Sequence, residues 1–194
     1  EDISGIKIGL QYITQSSPEE IRQLSKFKKP IFYDGKFFDI KNTLVESVKS
    51  LKNLKVNYAT VHLLNGLDAL RAANQAAREI NLNLLGVSVL TSFNDEDLEN
   101  LGFNNKVQDQ VKRLINIAME ANLYGVICSP LEIKMIKEIS PKLKCFTPGI
   151  RMENTKDDQK RTMNAKEAIN EGSDCLIIGR PIIKGNPKEN IKNI

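Results

Sequence analysis

A regular alternation of short apolar runs with segments of helical periodicity dominates the sequence. The runs are rich in Val, Ile and Leu, and several are apolar on both faces. Strands of a parallel sheet that is covered by helices have this character. The alternation therefore predicts an α/β fold built from strand–helix units. The predicted strands cover residues 6–13, 30–33, 58–63, 84–90, 125–128, 143–147 and 175–178.

The segments between the runs carry helix signals. Ser17, followed by Pro18 and Glu20, combines a capping residue, a proline at the first helical position and a carboxylate three residues after the cap. Residues 67–80 are rich in Ala, a strong helix former, and Gly172 is placed to end a helix over 164–171. Further helices are predicted over 130–139, from Asn186 onwards, and at two apolar stripes, Leu44, Val48 and Leu51, and Val107, Val111, Leu114 and Ala118.

Seven strand–helix units follow one another without a Gly/Ser-rich linker, so we expect a single domain over residues 1–194. No G-x-G-x-x-G follows a predicted strand and no G-x-x-x-x-G-K-[ST] occurs, which favours a (β/α)8 TIM barrel over an open doubly wound sheet. Such a barrel has eight units. We therefore expect the first unit and the end of the last helix to be missing, in agreement with Glu rather than Met at position 1.

Composition and charge narrow the function classes. The net charge of +4 comes from lysines spread along the chain, whereas nucleic-acid binding needs clustered charge. No apolar run approaches the roughly 20 residues of a membrane-spanning helix. The cysteines Cys128, Cys145 and Cys175 are odd in number and far apart, so we expect a reducing, cytoplasmic location.

Four charged residues stand at the ends of the first two predicted strands, where barrels of this kind place their active sites. Lys7 lies within an apolar run, Asp34 and Lys36 directly follow one, and Asp39 comes three residues later. Two ammonium groups and two carboxylates can alternate in one cluster, in which a protonated lysine can donate a proton to a developing carbanion. A structural network of ion pairs is the alternative interpretation.

A second group of candidate residues lies near the end of the chain. Arg151 follows one predicted strand, and Gly179 and Arg180 follow the last one. The loops after the last two strands commonly bind phosphate in these barrels, through backbone N–H groups beside a glycine and a bidentate arginine. The loop after Arg151 is longer than usual and would suit a lid. A solvent-exposed loop with incidental arginines is the alternative.

The sequence at these groups resembles the orotidine 5′-phosphate decarboxylase family, in particular its bacterial branch. Residues 34–43 match the signature D-x-K-x-x-D-I-x-N-T. Weaker motifs of the family follow in order and cover nearly the whole chain. They are K-[VI]-G at Lys7, V-H-x-x-x-G at 61–66, L-T-S at 90–92, C-S at 128–129, T-P-G-I-R at 147–151, D-Q-x-R at 158–161 and G-R-P-I at 179–182.

The resemblance implies decarboxylation of orotidine 5′-monophosphate to UMP in pyrimidine biosynthesis, with neither metal nor organic cofactor. Lys36 would protonate the carbanion at C6 of the pyrimidine, oriented by Asp34 and Asp39. Lys7 and Asp34 would also serve substrate binding, with Lys7 on the ribose. The resemblance further assigns Thr91 to the pyrimidine edge, Arg151, Gln159, Gly179 and Arg180 to the phosphate, and Asp39, Ile40 and Thr43 to the neighbouring site of a homodimer.

Two other functions stay open at this point. A Mg²⁺-dependent sugar-phosphate decarboxylase or aldolase resembles the chain at D-x-K-x-x-D but lacks the I-x-N-T that follows here. A non-catalytic nucleotide-binding barrel is the other. The only histidine, His62, has no metal-ligand spacing and is expected to line the barrel, and Cys128 to be a buried thiol. Thr91 and Ser92 could instead cap a short helix near residue 95.

Overall fold

The computed structural model describes residues 3–151 and 161–194 of the chain. They belong to two compact units, one formed by Glu1–Val87 and Ile117–Tyr124 and the other by Ser88–Asn116 and Gly125–Ile194. Gln159 and the rest of the D-Q-x part of its motif lie outside the described residues.

The first unit contains four parallel strands that pair in chain order. The strands are β1 (Ile6–Gly9), β2 (Ile31–Phe37), β3 (Tyr58–His62) and β4 (Asn83–Val87). Helices occupy the connections between them, namely α1 (Leu10–Gln15), α2 (Pro18–Gln23), α3 (Lys41–Ser50) and α4 (Leu67–Glu79). This is the strand–helix alternation that the apolar runs predict.

Local sequence signals explain where these helices begin and which face they bury. The predicted capping box is confirmed at α2, where Ser17 and Glu20 satisfy each other's backbone N–H groups. In α3, Leu44 and Val48 are buried completely, and Leu51 follows them into the core. The apolar stripe therefore marks the face of α3 that packs inward.

The predicted strand over residues 6–13 is only half right. The strand ends at Gly9, and Leu10–Gln15 form α1, in which Leu10 and Tyr12 are exposed. A short apolar run suits a strand and a helix equally well, so its periodicity alone could not fix this boundary.

The second unit has three parallel strands, β5 (Gly125–Ile127), β6 (Lys144–Thr147) and β7 (Cys175–Leu176), again paired in chain order. Its helices are α5 (Asp95–Asn100), α6 (Val107–Glu120, of which 117–120 belong to the first unit), α7 (Ile133–Ile139), α8 (Ala165–Asn170), α9 (Arg180–Ile183) and α10 (Pro187–Lys192).

The second unit also shows which residue caps the short helix near residue 95. Helix α5 is capped by Asn94, whose side chain accepts from the N–H of Asp97, so the alternative in which Thr91 and Ser92 form the cap is wrong. Across residues 3–151 and 161–194, no helix has both the length and the apolar character that a membrane crossing requires.

Candidate active site

A buried carboxylate is the centre of the charged cluster in the first unit. Asp34 Oδ2 accepts from Lys7 Nζ at 3.0 Å, and Asp34 Oδ1 accepts from Lys36 Nζ at 2.9 Å. Burial alone would raise the pKa of Asp34, but the two ammonium charges and their hydrogen bonds outweigh it and hold that pKa below the usual aspartate range. Asp34 is therefore ionised at neutral pH and fixes both lysines.

The register of the first two strands brings these groups together. Gly9 of β1 lies opposite Asp34 of β2. A Cβ at Gly9 would stand 3.3 Å from Lys7 Nζ, so glycine leaves the space in which the ammonium group reaches the carboxylate.

An irregularity in the next strand pair shapes the backbone at Lys36. Tyr33 pairs with Ala59 and Phe37 with Val61, so residues 34–36 of β2 lie opposite the single residue Thr60. Lys36 takes a left-handed backbone conformation with φ 47°, which is strained for a residue other than glycine. Within this irregular segment the ammonium group of Lys36 lies 2.9 Å from the carboxylate of Asp34.

Thr60 holds this irregular segment and was missed by the sequence reasoning. Its hydroxyl accepts from the N–H of Lys36 at 2.8 Å and donates to Asp34 Oδ1 at 3.1 Å, and its side chain is completely buried. A threonine within a strand has an ordinary β propensity, so residue type alone does not indicate this role.

Asp39 does not join the cluster within its own chain. Its Oδ1 accepts from the N–H of the next residue, Ile40, at 2.7 Å, and its own N–H donates to Asn65 Oδ1 at 3.0 Å. Residues 3–151 and 161–194 contain no ion pair to Asp39. Four alternating charges were expected, and the structure brings three of them together. Asp39 is left out because the chain leaves the strand after Phe37 and turns the Asp39 carboxylate towards solvent.

The segment after β2 is exposed as a whole. Phe38 is 64% exposed and Ile40 is 74% exposed, and Thr43 is exposed on the first turn of α3. Phe38 and Ile40 therefore present two exposed apolar side chains beside the exposed Asp39.

His62 ends β3 and lies close to the cluster. Its ring faces Phe38 at 5.6 Å, and Nδ1 accepts from the N–H of Leu64 at 3.4 Å. Burial, together with the nearby charge of Lys36, lowers the pKa of His62 below its usual 6.5. The imidazole is therefore neutral at physiological pH.

The second unit contains the residues predicted to bind phosphate. Arg151 follows β6 and is half-buried, and Gly179 directly precedes α9, whose first residue is Arg180. A pocket of about 330 Å³ is lined by Arg151, Lys166 and Pro181 among others. Gln159 lies outside the described residues.

Thr91 lies half-buried in the turn after β4, and a buried ion pair supports that turn. The guanidinium group of Arg161 pairs with Glu132, which is 2% exposed, and also donates to the carbonyl oxygens of Val89 at 3.2 Å and Leu90 at 2.9 Å. Arg161 belongs to the D-Q-x-R motif, but neither the residue pattern nor the resemblance predicts a role for it. Arg161 therefore fixes the backbone that carries Thr91.

The expectation for Cys128 is confirmed. This thiol is 1% exposed, and a hydrogen bond to Cys145, together with burial, raises the pKa of Cys128 well above its usual value. It is an inert core thiol rather than a nucleophile.

The sequence and the fold were compared with those of known proteins. The family model described as "Orotidine 5'-phosphate decarboxylase / HUMPS family" matches residues 1–194. An orotidine 5′-phosphate decarboxylase of Wolbachia pipientis subsp. Culex pipiens (strain wPip) is 39% identical over 187 residues, which cover 96% of this chain and 83% of that protein.

Two solved structures are similar in fold. The crystal structure of orotidine 5′-phosphate decarboxylase from Lactobacillus acidophilus matches with a TM-score of 0.83 and 31% identity, over 96% of this chain and 83% of that one. The enzyme of the same name from Pyrococcus horikoshii OT3 matches with a TM-score of 0.78 and 27% identity, over 98% and 85%. The (β/α)-barrel fold class predicted from the alternation is thereby confirmed.

The charge of Lys36 should have a measurable effect on the pKa of His62. Because His62 is the only histidine, its proton NMR titration is unambiguous, and we expect a midpoint below 6.5. Replacing Lys36→Met removes one positive charge and should raise that midpoint, while burial keeps it below 6.5.

The exposed Lys52 provides the control, since Lys52→Met should leave the midpoint unchanged. The free energy of unfolding should also decrease as the pH falls below 6.5, because the unfolded chain binds a proton that the folded His62 resists. An equal midpoint in the wild type and Lys36→Met would contradict this effect of the Lys36 charge.

Proposed function

The chain belongs to the orotidine 5′-phosphate decarboxylase / HUMPS family, and from that premise we propose how its residues decarboxylate orotidine 5′-monophosphate to UMP. The enzyme is a carboxy-lyase of pyrimidine biosynthesis, like the relatives that carry this name. The observation that carries the proposed mechanism is the ammonium group of Lys36, held at 2.9 Å by the buried Asp34.

The chemistry requires an acid beside a developing carbanion. The bond between C6 and the carboxylate breaks, CO₂ leaves, and the electron pair stays on C6 of the pyrimidine. The Lys36 ammonium then gives one proton to C6, and the neutral amine regains a proton from water. An ammonium group that is fixed before the reaction gains attraction as the negative charge forms, which lowers the barrier.

Lys7 and Asp34 have a supporting role in this proposal. Lys7 pairs with the same carboxylate at 3.0 Å and keeps 32% of its side chain exposed. In the proposal Lys7 binds a sugar hydroxyl while it neutralises the second oxygen of Asp34, and its partial exposure supports this role. The two ammonium groups together give the cluster one net positive charge, which suits an anionic substrate.

The phosphate and the base are assigned to residues of the second unit. Arg151, Gly179, Arg180 and Gln159 would bind the phosphate, and Thr91 the pyrimidine edge. The support for this assignment is the position of Arg151 on a pocket and the arrangement of Gly179 and Arg180 at the start of α9. Phosphate binding far from C6 would supply free energy that orients the base.

The active unit in this proposal is a homodimer located in the cytoplasm. Asp39, Ile40 and Thr43 would reach into the site of the neighbouring subunit. The support is that all three are exposed, that Asp39 lacks a cation within the described part of its own chain, and that Ile40 is apolar. Three cysteines outside any disulfide agree with a reducing compartment.

The experiment that tests the function follows the loss of orotidine 5′-monophosphate absorbance with a chelator present. We expect the wild type to be equally active with and without chelator. Lys36→Ala should lower turnover by at least about 100-fold, the scale of a lost general acid, and should leave UMP binding intact. The exposed Lys52→Ala is the matched control and should retain full activity.

The outcomes separate the alternatives. Loss of orotidine 5′-monophosphate decarboxylation with chelator would contradict the metal-free mechanism, and retained turnover in Lys36→Ala would exclude Lys36 as the proton donor. A wild type that binds UMP but never turns over would indicate a non-catalytic nucleotide-binding protein.

A second prediction concerns the phosphate. Arg180→Ala should weaken UMP binding, measured by isothermal titration calorimetry, by about 1.5–3 kcal/mol, the value of a hydrogen bond between charged groups. Arg113→Ala, on an exposed position of α6, is the control. An unchanged dissociation constant in Arg180→Ala would count against the phosphate assignment.

A further inference from the structure

Asn65 connects two loops of the first unit through three hydrogen bonds. Its Nδ2 donates to the carbonyl oxygens of His62 at 2.7 Å and Phe37 at 2.9 Å, and its Oδ1 accepts from the N–H of Asp39 at 3.0 Å. The side chain is half-buried just before α4. Both the NH₂ group and the carbonyl oxygen of the Asn65 side chain are therefore hydrogen-bonded. The bond to the carbonyl oxygen of His62 holds the side chain in this orientation.

These bonds determine the path of the exposed segment between β2 and α3. Phe37 is the last residue of β2, and α3 begins at Lys41. Asn65 binds the backbone at both Phe37 and Asp39, so it sets the direction in which residues 38–40 leave the strand. Within the described residues, the N–H of Asp39 donates its hydrogen bond to Asn65.

Only one side chain of this length can make all three bonds. An aspartate at this position could still accept from the Asp39 N–H, but it would place an oxygen against two carbonyl oxygens. A leucine has neither a donor nor an acceptor. An unpaired carbonyl or N–H in a half-buried loop must find water, which lets the segment adopt other paths. The amide is thus a specific requirement of this loop.

We infer that Asn65 is a positioning residue that acts on the partner's active site. This inference rests on the proposed function, in which Asp39 and Ile40 enter the neighbouring site. Asn65 holds the segment that carries them in the conformation required at the interface. Its loss impairs catalysis in the subunit that receives the segment and leaves the site of its own subunit unaffected.

Homodimers of Asn65→Ala should lose about 10- to 100-fold in kcat/KM, the usual cost of misplacing a catalytic group by about an ångström. Asn65→Asp should lose activity as well, although its size is unchanged. The exposed Asn53→Ala is the matched control and should keep wild-type kinetics. Circular dichroism checks that each variant is folded, and Asn65→Asp replaces Asn65→Ala if the latter does not fold.

Hybrid dimers, purified through two different affinity tags, give the decisive measurement. Lys36→Ala silences one site, so a hybrid of wild type and Lys36→Ala has a single working site and serves as the reference. In a hybrid of wild type with the double variant Lys36→Ala/Asn65→Ala, the working site receives its Asp39 from the chain without Asn65. In a hybrid of Lys36→Ala with Asn65→Ala, it receives Asp39 from a chain with Asn65 intact.

We expect the first of these hybrids to be 10- to 100-fold below the reference and the second to equal it. The reverse pattern would overturn the inference, because Asn65 would then act on its own site. Equal activity of the two hybrids, whether high or low, would overturn it too, since neither a neutral nor a general structural role distinguishes them. Inactive wild-type dimers would instead refute the proposed function itself.

Discussion

The candidate site depends on the carboxylate of Asp34, which is 8% exposed and carries two ammonium groups. A buried carboxylate without partners would be costly, so the pairs with Lys7 and Lys36 are what keep it ionised. Each ion pair restricts the side-chain conformations of its lysine, and about a third of each lysine side chain remains exposed. The result is a fixed pair of cations that both keep solvent-accessible surface.

The backbone of β2 is bent to make this pairing possible. Lys36 adopts a strained left-handed conformation, and the buried hydroxyl of Thr60 compensates by binding its N–H and the Asp34 carboxylate together. Strain that the surroundings hold in place is typical of functional positions. Asn65 binds the backbone at Phe37 and at Asp39, where the chain leaves β2 and turns towards α3.

Every predicted strand overlaps an observed one, and the capping box at Ser17 is present, because both follow from local patterns. The meeting of Lys7, Asp34 and Lys36 followed from the rule that strand ends share one edge of a sheet. The position of Asp39 outside the cluster was not predictable from the spacing of the charged residues, because its direction depends on how the chain turns after Phe37. The contacts of Thr60 and Asn65 could not be predicted. They depend on the register shift between β2 and β3 and on the path of the loop after β2, and residue type reveals neither.

In the proposed mechanism Lys36 is the acid and Asp34 holds it in place, an arrangement supported by their 2.9 Å ion pair. The most direct test is to restore the ammonium group alone. Lys36→Cys should be inactive, and alkylation with 2-bromoethylamine, which rebuilds a lysine-like side chain, should recover turnover of orotidine 5′-monophosphate. Alkylation by a neutral ethyl group should not, with mass spectrometry confirming modification and treated wild type controlling for the native cysteines. Equal recovery with the neutral group, or none after complete aminoethylation, would contradict the account.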